Sequence, residues 1–366
     1  MQSKEVTIME IIYMPNIIDV SNDTCKQDFI IVLQRAIQSA NINFLFGSGC
    51  SVPAIDTLGN IENEVENKLR KGELLEAKKL LKKFLLPFYD SLKRIKANTL
   101  NDKDIKVIEN YVGFIKIISK ILFERKNNIL NKQATIFTTN YDLFFEFAFK
   151  SYAETVILFD GFKKSSSFDK KLIFSVTEYF NTIYNNGTIY NYQVEVPSLN
   201  LIKLHGSLDW FVENNQLINS LDYVGTLDSR LKSNNEKDID EFLSAFTLIL
   251  PQKDKFKETI IDQIYYDQLR IFSNELDKEN SLLITHGFSF SDEHIYAIIK
   301  RALRNQTLKV VAFCYDEASK ENTRKLFQSN CNVELVYNEK ETIGLSVMNE
   351  IISQVLPLYL KKSNND

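Results

Sequence analysis

The last third of the chain alternates between short apolar segments and amphipathic segments, and this pattern restricts the possible folds more than any other feature. From residue 281 onward, SLLITHG, LKVVAFCY and VELVY are rich in β-branched residues, and each is followed by a segment with apolar residues at helical spacing. Strands that alternate with helices of this length predict β–α–β units and a parallel sheet. We therefore expect an α/β fold with a Rossmann-like, doubly wound parallel sheet.

Three further strands are predicted earlier in the chain. They are NINFLF from Asn41, ATIFTTN from Ala134, and the apolar segment LNLIKL that precedes His205. Each ends abruptly in glycine or polar residues, as expected for a strand in the centre of a sheet. Open α/β sheets bind ligands at the carboxyl ends of their strands, so we expect the functional residues there.

Two segments interrupt this pattern. Residues 61–130 are rich in Glu, Lys and Leu at periods of three and four, which predicts a helical insertion. Residues 160–250 are mixed in character and include a predicted hairpin turning at Asn186-Gly187. We expect a single domain over residues 28–350 that contains both the helical insertion and this mixed α/β insertion.

A glycine-containing turn follows the first of these strands. Gly47-Ser48-Gly49-Cys50-Ser51 comes directly after NINFLF and before a predicted helix. Glycines at such a turn let the backbone approach a diphosphate, and a helix N-terminus offers free N–H groups to the anion. The third glycine of the GxGxxG fingerprint is absent, because Val52 or Pro53 stands in its place. A tight turn that binds nothing is therefore an equally good interpretation of this motif alone.

The segment TTNYD, residues 138–142, ends the second strand. The amide of Asn140 could orient a water molecule or a sugar hydroxyl, and the carboxylate of Asp142 could bind a carboxamide. Both residue types also favour helix N-caps, so these two side chains could instead cap the helix that follows. The motif alone leaves both interpretations open.

Histidine and glycine end two more strands. His205 could take a proton from water or from a ribose hydroxyl, because the pKa of a histidine lies near neutrality. A structural histidine beside a turn glycine is the alternative. Gly287 and Ser289 suggest phosphate or ribose contacts, whereas His286 and His294 could equally be packing or surface residues.

Taken in chain order, GSGCS, TTNYD, LHGSLDW and THGFSFSDEH resemble the sirtuin family. The resemblance is closer to the bacterial antiphage-defence branch than to the protein deacylases. It covers the chain from about Asn41 to Tyr337 and leaves the helical insertion outside the motifs.

The resemblance implies that NAD⁺ is the substrate, and it implies roles for the motif residues. It places the catalytic groups at Asn140, Asp142 and His205, with Asp142 on the nicotinamide carboxamide, Asn140 on the attacking water and His205 as the base. It places the NAD-binding contacts at Gly47, Ser48, Gly49, Ser51, Thr139, Gly206, Gly287 and Ser289.

The cysteines depart from the pattern of the deacylases, which carry a four-cysteine zinc ribbon. Cys25, Cys50, Cys314 and Cys331 stand far apart without a CxxC pair, so we expect no zinc. We therefore expect an NAD⁺ glycohydrolase that releases nicotinamide and ADP-ribose and depletes NAD⁺ in antiphage defence by abortive infection. A protein deacylase or ADP-ribosyltransferase, and a non-catalytic module that senses NAD or ADP-ribose, are the alternatives.

The same resemblance implies a homo-oligomer, with a HerA-type DNA-translocating ATPase as a separate partner. The helical insertion is the candidate interface between copies. A net charge of −4 gives no basic surplus for direct binding of nucleic acid. No segment reaches the ~18 apolar residues of a membrane-spanning helix, so we expect no membrane contact and a cytoplasmic location.

Overall fold

The computed structural model describes residues 14–57, 61–125, 129–152, 156–164, 171–186, 193–221, 235–249 and 260–356. Within these residues, no helix is both long enough and apolar enough to cross a lipid bilayer.

The core of the protein is an eight-stranded sheet in which every neighbouring pair is parallel. The strand order is β1-β14-β13-β12-β2-β3-β9-β4. The strands are β1 (Asn16–Asp19), β2 (Asn41–Phe46), β3 (Gln133–Thr138), β4 (Ile157–Phe159), β9 (Ser198–Lys203), β12 (Ser281–His286), β13 (Lys309–Phe313) and β14 (Val333–Tyr337). Helices cover both faces, so the predicted α/β, doubly wound, Rossmann-like fold class is confirmed.

Ten α-helices lie within the described residues. They are α1 (Asp23–Ser39), α2 (Ile61–Arg70), α3 (Leu74–Ala97), α4 (Asp102–Phe123), α5 (Phe144–Tyr152), α6 (Glu236–Ser244), α7 (Ile260–Asp277), α8 (Glu293–Ala302), α9 (Glu317–Leu326) and α10 (Leu345–Ser353). Helices α2, α3 and α4 fall inside the range predicted as a helical insertion.

The two faces of the sheet bury separate apolar clusters. On β2, Phe44 and Phe46 point into a cluster that includes residues of α1, α4 and α10. Leu45, between them, points into a cluster on the opposite face with residues of α7 and α8. Alternation along one strand therefore supplies both cores, as expected for a central strand that is covered on both sides.

The mixed region after β4 forms two small antiparallel sheets. Four strands pair in the order β10-β11-β6-β5, with bounds β5 (Phe162–Lys164), β6 (Leu172–Phe174), β10 (Trp210–Glu213) and β11 (Gln216–Asn219). A separate hairpin pairs β7 (Tyr184–Asn186) with β8 (Gln193–Glu195). Asn186 pairs with Gln193, and Gly187 of the predicted turn lies outside the described residues.

The sheet also includes a strand that precedes residue 28, the predicted beginning of the domain. Strand β1 pairs with β14 at one edge of the sheet, with Asn16 opposite Glu334. Helix α1 then begins at Asp23, where the side chain of Asn22 accepts hydrogen bonds from two N–H groups of the first turn.

Candidate functional site

The four motif-bearing strands are neighbours in the sheet, and they end at the same level. Strands β12, β2, β3 and β9 are adjacent in that order. Their last residues pair across the sheet: His286 with Phe46, Phe46 with Thr138, and Thr138 with Lys203. The segments that follow these residues therefore begin side by side at the carboxyl edge of the sheet.

This edge contains the point where the chain reverses its direction of progress through the sheet. From β2 the chain proceeds to β3 and β9 on one side, and later to β12, β13 and β14 on the other. Crevices at such a switch point are the usual ligand sites of open α/β sheets.

Glycines allow the turns after β2 and β12 to touch at this point. A Cβ atom on Gly47 would lie 2.4 Å from the carbonyl oxygen of Gly287, and one on Gly49 would lie 2.7 Å from the Cα atom of Gly287. Gly287 itself has φ +64°, a conformation that other residues rarely adopt. These three glycines are therefore required for the close approach of two backbones.

Most N–H groups of the glycine turn are already used inside the protein. Gly47 donates to the carbonyl of His286, Gly49 to that of Gly287, and Cys50 to that of Gly47, at 3.0–3.1 Å. No described residue accepts a hydrogen bond from the N–H of Ser48, which is exposed. An anion at this turn could therefore use Ser48 but not the N–H groups of the two glycines.

A buried hydrogen-bonded triad joins the glycine turn to the TTNYD segment. Ser51, which is 1% exposed, donates its hydroxyl to Oδ2 of Asp142 at 2.6 Å. The amide nitrogen of Asn140 donates to the same Ser51 oxygen at 3.0 Å. Three sequence-predicted site residues from two strand ends are thus in direct contact.

Asp142 also has a local structural role. Its Oδ1 accepts a hydrogen bond from the N–H of Phe144 at 3.2 Å, at the start of α5. Burial raises the pKa of the Asp142 carboxyl above its usual value, although the positive charge of Lys203 and the Ser51 hydrogen bond act in the opposite direction. The capping interpretation is therefore correct in part for Asp142, whereas the side chain of Asn140 is directed to Ser51.

A buried lysine and a glutamate lie beneath this triad. Lys203, at the end of β9, donates to the carbonyl of Asp142 at 2.5 Å, to Oε1 of Glu146 at 2.7 Å and to Oγ of Ser207 at 3.0 Å. Burial raises the pKa of Glu146 to about 7, against the opposing effect of the Lys203 charge. Neither Lys203 nor Glu146 is among the site residues predicted from the sequence.

These side chains form the polar part of the lining of a small cavity. It has a volume of about 10 Å³, with Asn140, Asp142, Glu146 and Lys203 among its lining residues. Oε2 of Glu146 is buried and has no hydrogen-bond partner. A space of this size is close to the minimum that holds one water molecule, and these polar side chains supply hydrogen-bonding partners for it.

His205 lies at the same edge and is paired with a carboxylate. Its Nε2 is 2.9 Å from Oδ2 of Asp292, and the two side chains are 18% and 22% exposed. The ring of His205 also lies 6.3 Å from that of Tyr141, between centroids. Asp292 is not among the site residues predicted from the sequence, although its place before an amphipathic segment is a recognisable N-cap signal.

The turn after His205 requires glycine. Gly206 has φ +84°, and a Cβ atom there would lie 2.4 Å from both the carbonyl oxygen of Thr247 and the hydroxyl of Tyr265. The carbonyl of His205 accepts a hydrogen bond from Ile249. Gly206 is therefore in close contact with Thr247 and Tyr265.

Three other residues predicted to contact NAD are less buried than the triad. Ser48 and Ser289 are exposed, and Thr139 is half-buried and donates its N–H to the carbonyl of Phe46. The hydroxyls of Ser289 and Ser291 are 2.5 Å apart. None of these three predicted residues forms a hydrogen bond with the buried triad.

The other two histidines differ from His205. His286 is 2% exposed, and neither ring nitrogen has a partner in the described part of the chain. Burial lowers the pKa of His286 to about 4, so the ring is neutral at physiological pH. His294 is exposed on α8. Across the ranges that the structure describes, no group of three or more His, Cys, Asp or Glu side chains could hold a metal ion.

A family model described as a SIR2-like domain matches residues 134–336, more than half of the chain. The match runs from β3 to β14 and includes Asn140, Asp142, His205 and Asp292, whereas the glycine turn at residues 47–51 precedes it. No curated protein matches the chain.

Proposed function

The chain belongs to the SIR2-like family, whose domains bind NAD⁺, and from that premise we propose that it is an NAD⁺ glycohydrolase. The observation that carries the proposal is the meeting of four motifs at one switch point. Asn140 and Asp142 share a buried hydroxyl with the glycine turn, and His205 is held by a carboxylate at the same edge. A substrate with a scissile ribosyl bond fits these groups, and the exposed N–H of Ser48 is the group of the glycine turn left for its diphosphate.

In the proposed reaction, the bond between the nicotinamide nitrogen and C1′ of the ribose breaks, and its electron pair leaves with neutral nicotinamide. A water oxygen forms the new bond to C1′. The oxocarbenium-like transition state needs correct positioning and charge complementarity more than a strong nucleophile. His205 accepts the proton from the water or from a ribose hydroxyl, and Asn140 orients the water.

Asp142 retains hydrogen-bonding capacity for the substrate. A carboxylate offers about four lone-pair sites, and Ser51 and the N–H of Phe144 use one site on each oxygen. A carboxamide N–H of nicotinamide can share either oxygen. The Ser51 hydroxyl then fixes the carboxylate orientation before substrate arrives.

Water, rather than an acylated peptide, is the proposed acceptor. The chain has four cysteines in total. Two of them are buried in the core, where Cys50 donates to the carbonyl of His286 and Cys314 to that of Ala312. This distribution leaves no four-cysteine set for a zinc ribbon, which favours hydrolysis of NAD⁺ over deacylation.

We extend the proposal to a biological role on the resemblance of the four motifs alone. The enzyme depletes NAD⁺ as an antiphage effector that acts by abortive infection in the cytoplasm. It assembles as a homo-oligomer, with the helical insertion at residues 61–130 as the interface, and a HerA-like ATPase is its partner. The catalytic domain covers residues 28–350 together with the preceding strand β1 and the first turn of α1, and the mixed insertion at 160–250 carries His205.

The test is nicotinamide release from NAD⁺ by purified protein, alone and co-expressed with the product of the neighbouring gene. Asn140→Ala and His205→Ala should each abolish turnover. Asn349→Ala is the matched control, because Asn349 is a buried amide whose nitrogen donates to the carbonyl of Asn110 and not to a predicted site residue. Thermal unfolding of each variant separates loss of chemistry from loss of folding.

Two outcomes would replace the proposal. Transfer of label from NAD⁺ to protein, or removal of acyl groups, would indicate an ADP-ribosyltransferase or a deacylase. Binding of NAD or ADP-ribose without nicotinamide release in either preparation would indicate a sensing module. Loss of turnover in both site variants, with the control active, supports the glycohydrolase.

A further inference from the structure

We propose that Asp292 is a positioning residue for His205. Its carboxylate holds the imidazole of His205 in one tautomer and one orientation at the candidate site. The proposal rests on the function proposed above for His205. Asp292 contacts His205, and we assign it no contact with the substrate.

The geometry of the pair assigns the proton. Oδ2 of Asp292 lies 2.9 Å from Nε2 of His205. A carboxylate only accepts hydrogen bonds, so Nε2 must carry the hydrogen. In the neutral imidazole, the lone pair is then on Nδ1. A base with its lone pair on a defined nitrogen is what proton abstraction requires.

The carboxylate cannot easily rotate away from the histidine. Its other oxygen, Oδ1, accepts hydrogen bonds from the N–H groups of His294 and Ile295, both at 3.0 Å, and so caps α8. Burial raises the pKa of Asp292, but the hydrogen bonds from His205 and Ile295 outweigh that effect and hold the pKa below its usual value. Asp292 therefore stays ionised, and its Oδ2 faces His205 while its Oδ1 caps α8.

The backbone of the histidine is also held in place. The carbonyl of His205 accepts from Ile249 at 3.0 Å, and the N–H of Gly206 donates to the carbonyl of Lys203 at 3.2 Å. With both partners fixed by backbone hydrogen bonds, the 2.9 Å contact sets the ring orientation.

The contact joins two strand ends that are not neighbours. Strands β9 and β12 are separated by β2 and β3, a distance of about 14 Å for three strand spacings. The segment from β12 that packs Gly287 against the glycine turn thus also delivers Asp292 to the histidine. Positioning of the base and closure of the glycine turn depend on the same loop.

The test uses two substitutions that preserve the helix cap. In Asp292→Asn, the amide oxygen keeps the two N–H groups of α8 and the NH₂ group faces Nε2, which must then accept, so the hydrogen moves to Nδ1. Asp292→Ser also caps the helix but leaves Nε2 without a carboxylate. Asp316→Asn is the matched control, because Asp316 caps α9 by accepting from Ser319.

The first readout is the tautomer of His205, from long-range ¹H–¹⁵N spectra of protein labelled with ¹⁵N-histidine. The chain has only three histidines, and His205→Gln identifies the signals of interest. We expect an Nε2–H ring in the unmodified protein and in Asp316→Asn, and an Nδ1–H ring in Asp292→Asn. An unchanged tautomer in Asp292→Asn would overturn the proposal.

The second readout is the kinetics of nicotinamide release. Loss of a correctly oriented base should lower kcat by about 10²-fold or more, with KM for NAD⁺ changed less than about twofold and thermal unfolding equal to that of the control. Faster turnover in Asp292→Asn and Asp292→Ser would mean that the contact holds the site closed, and it would also overturn the proposal. If the unmodified protein releases no nicotinamide, the proposed function fails and the tautomer spectra alone decide the role of Asp292.

Discussion

Replacing Ser51 with alanine should destabilise the protein far more than loss of one hydroxyl implies. The Ser51 hydroxyl donates to the Asp142 carboxylate at 2.6 Å and accepts from the Asn140 amide at 3.0 Å, and Ser51 is 1% exposed. A hydrogen bond to a charged group contributes about 1.5–3 kcal/mol, and a neutral bond about 1 kcal/mol. Because the variant leaves both partners buried, we expect the free energy of unfolding to fall by about 2–4 kcal/mol.

Urea unfolding followed by the fluorescence of Trp210, the sole tryptophan, measures this change. Ser91→Ala is the matched control, because Ser91 is 0% exposed and its hydroxyl donates only to the carbonyl of Phe88 in the same helix. The control should cost about 1 kcal/mol or less. If the two variants lose the same free energy, Ser51 is not the centre of a buried polar network and the reasoning fails.

Two further changes test the edge from different directions. Gly47→Ala places a Cβ atom 2.4 Å from a carbonyl oxygen of the neighbouring turn, so nicotinamide release and thermal stability should both fall sharply. A Cβ atom on Gly344, the N-cap of α10, meets nothing within 4 Å, so Gly344→Ala should change the unfolding free energy by about 1 kcal/mol or less. For Glu146, the folded pKa of about 7 exceeds the ordinary 4.5, so the folded state retains a proton that the unfolded state releases, and stability falls as pH rises from about 4.5 to 7. Between pH 5 and pH 8 the loss should be about 2–3 kcal/mol, measured by urea unfolding. Glu146→Gln should lack that loss, and an equal loss in the variant would refute the assignment.

The main strands of the sheet could be predicted because their sequences are short and predominantly apolar. NINFLF, SLLITHG and VELVY contain the observed strands β2, β12 and β14. Strand β1 carries no such signal, since it has four residues at the edge of the sheet and Asn16 and Ile17 are exposed. Its partner β14 lies more than 300 residues away along the chain, so only tertiary contact reveals it.

The sequence also predicts which motifs lie at the carboxyl edge of the sheet, but not the buried charges of Lys203 and Glu146 next to them. Lys203 follows an apolar run and would ordinarily be assigned to solvent. It is 3% exposed instead, because the Asp142 carbonyl, Glu146 and Ser207 supply three acceptors. A buried ammonium of this kind depends on residues from other elements, and no spacing rule within one motif predicts it.

The strand order explains why the carboxylate partner of His205 comes from the fourth motif. Asn140 and the glycine turn occupy the ends of β3 and β2, between His205 and the end of β12. Asp292 stands six residues after His286, and six extended residues can span about 20 Å, more than the roughly 14 Å between β9 and β12. The loop after β12 is therefore long enough to cross both intervening strand ends. Because Asp292 is the N-cap of α8, the start of that helix fixes the position of its carboxylate. A local helix signal and the order of the sheet therefore together determine the contact with His205.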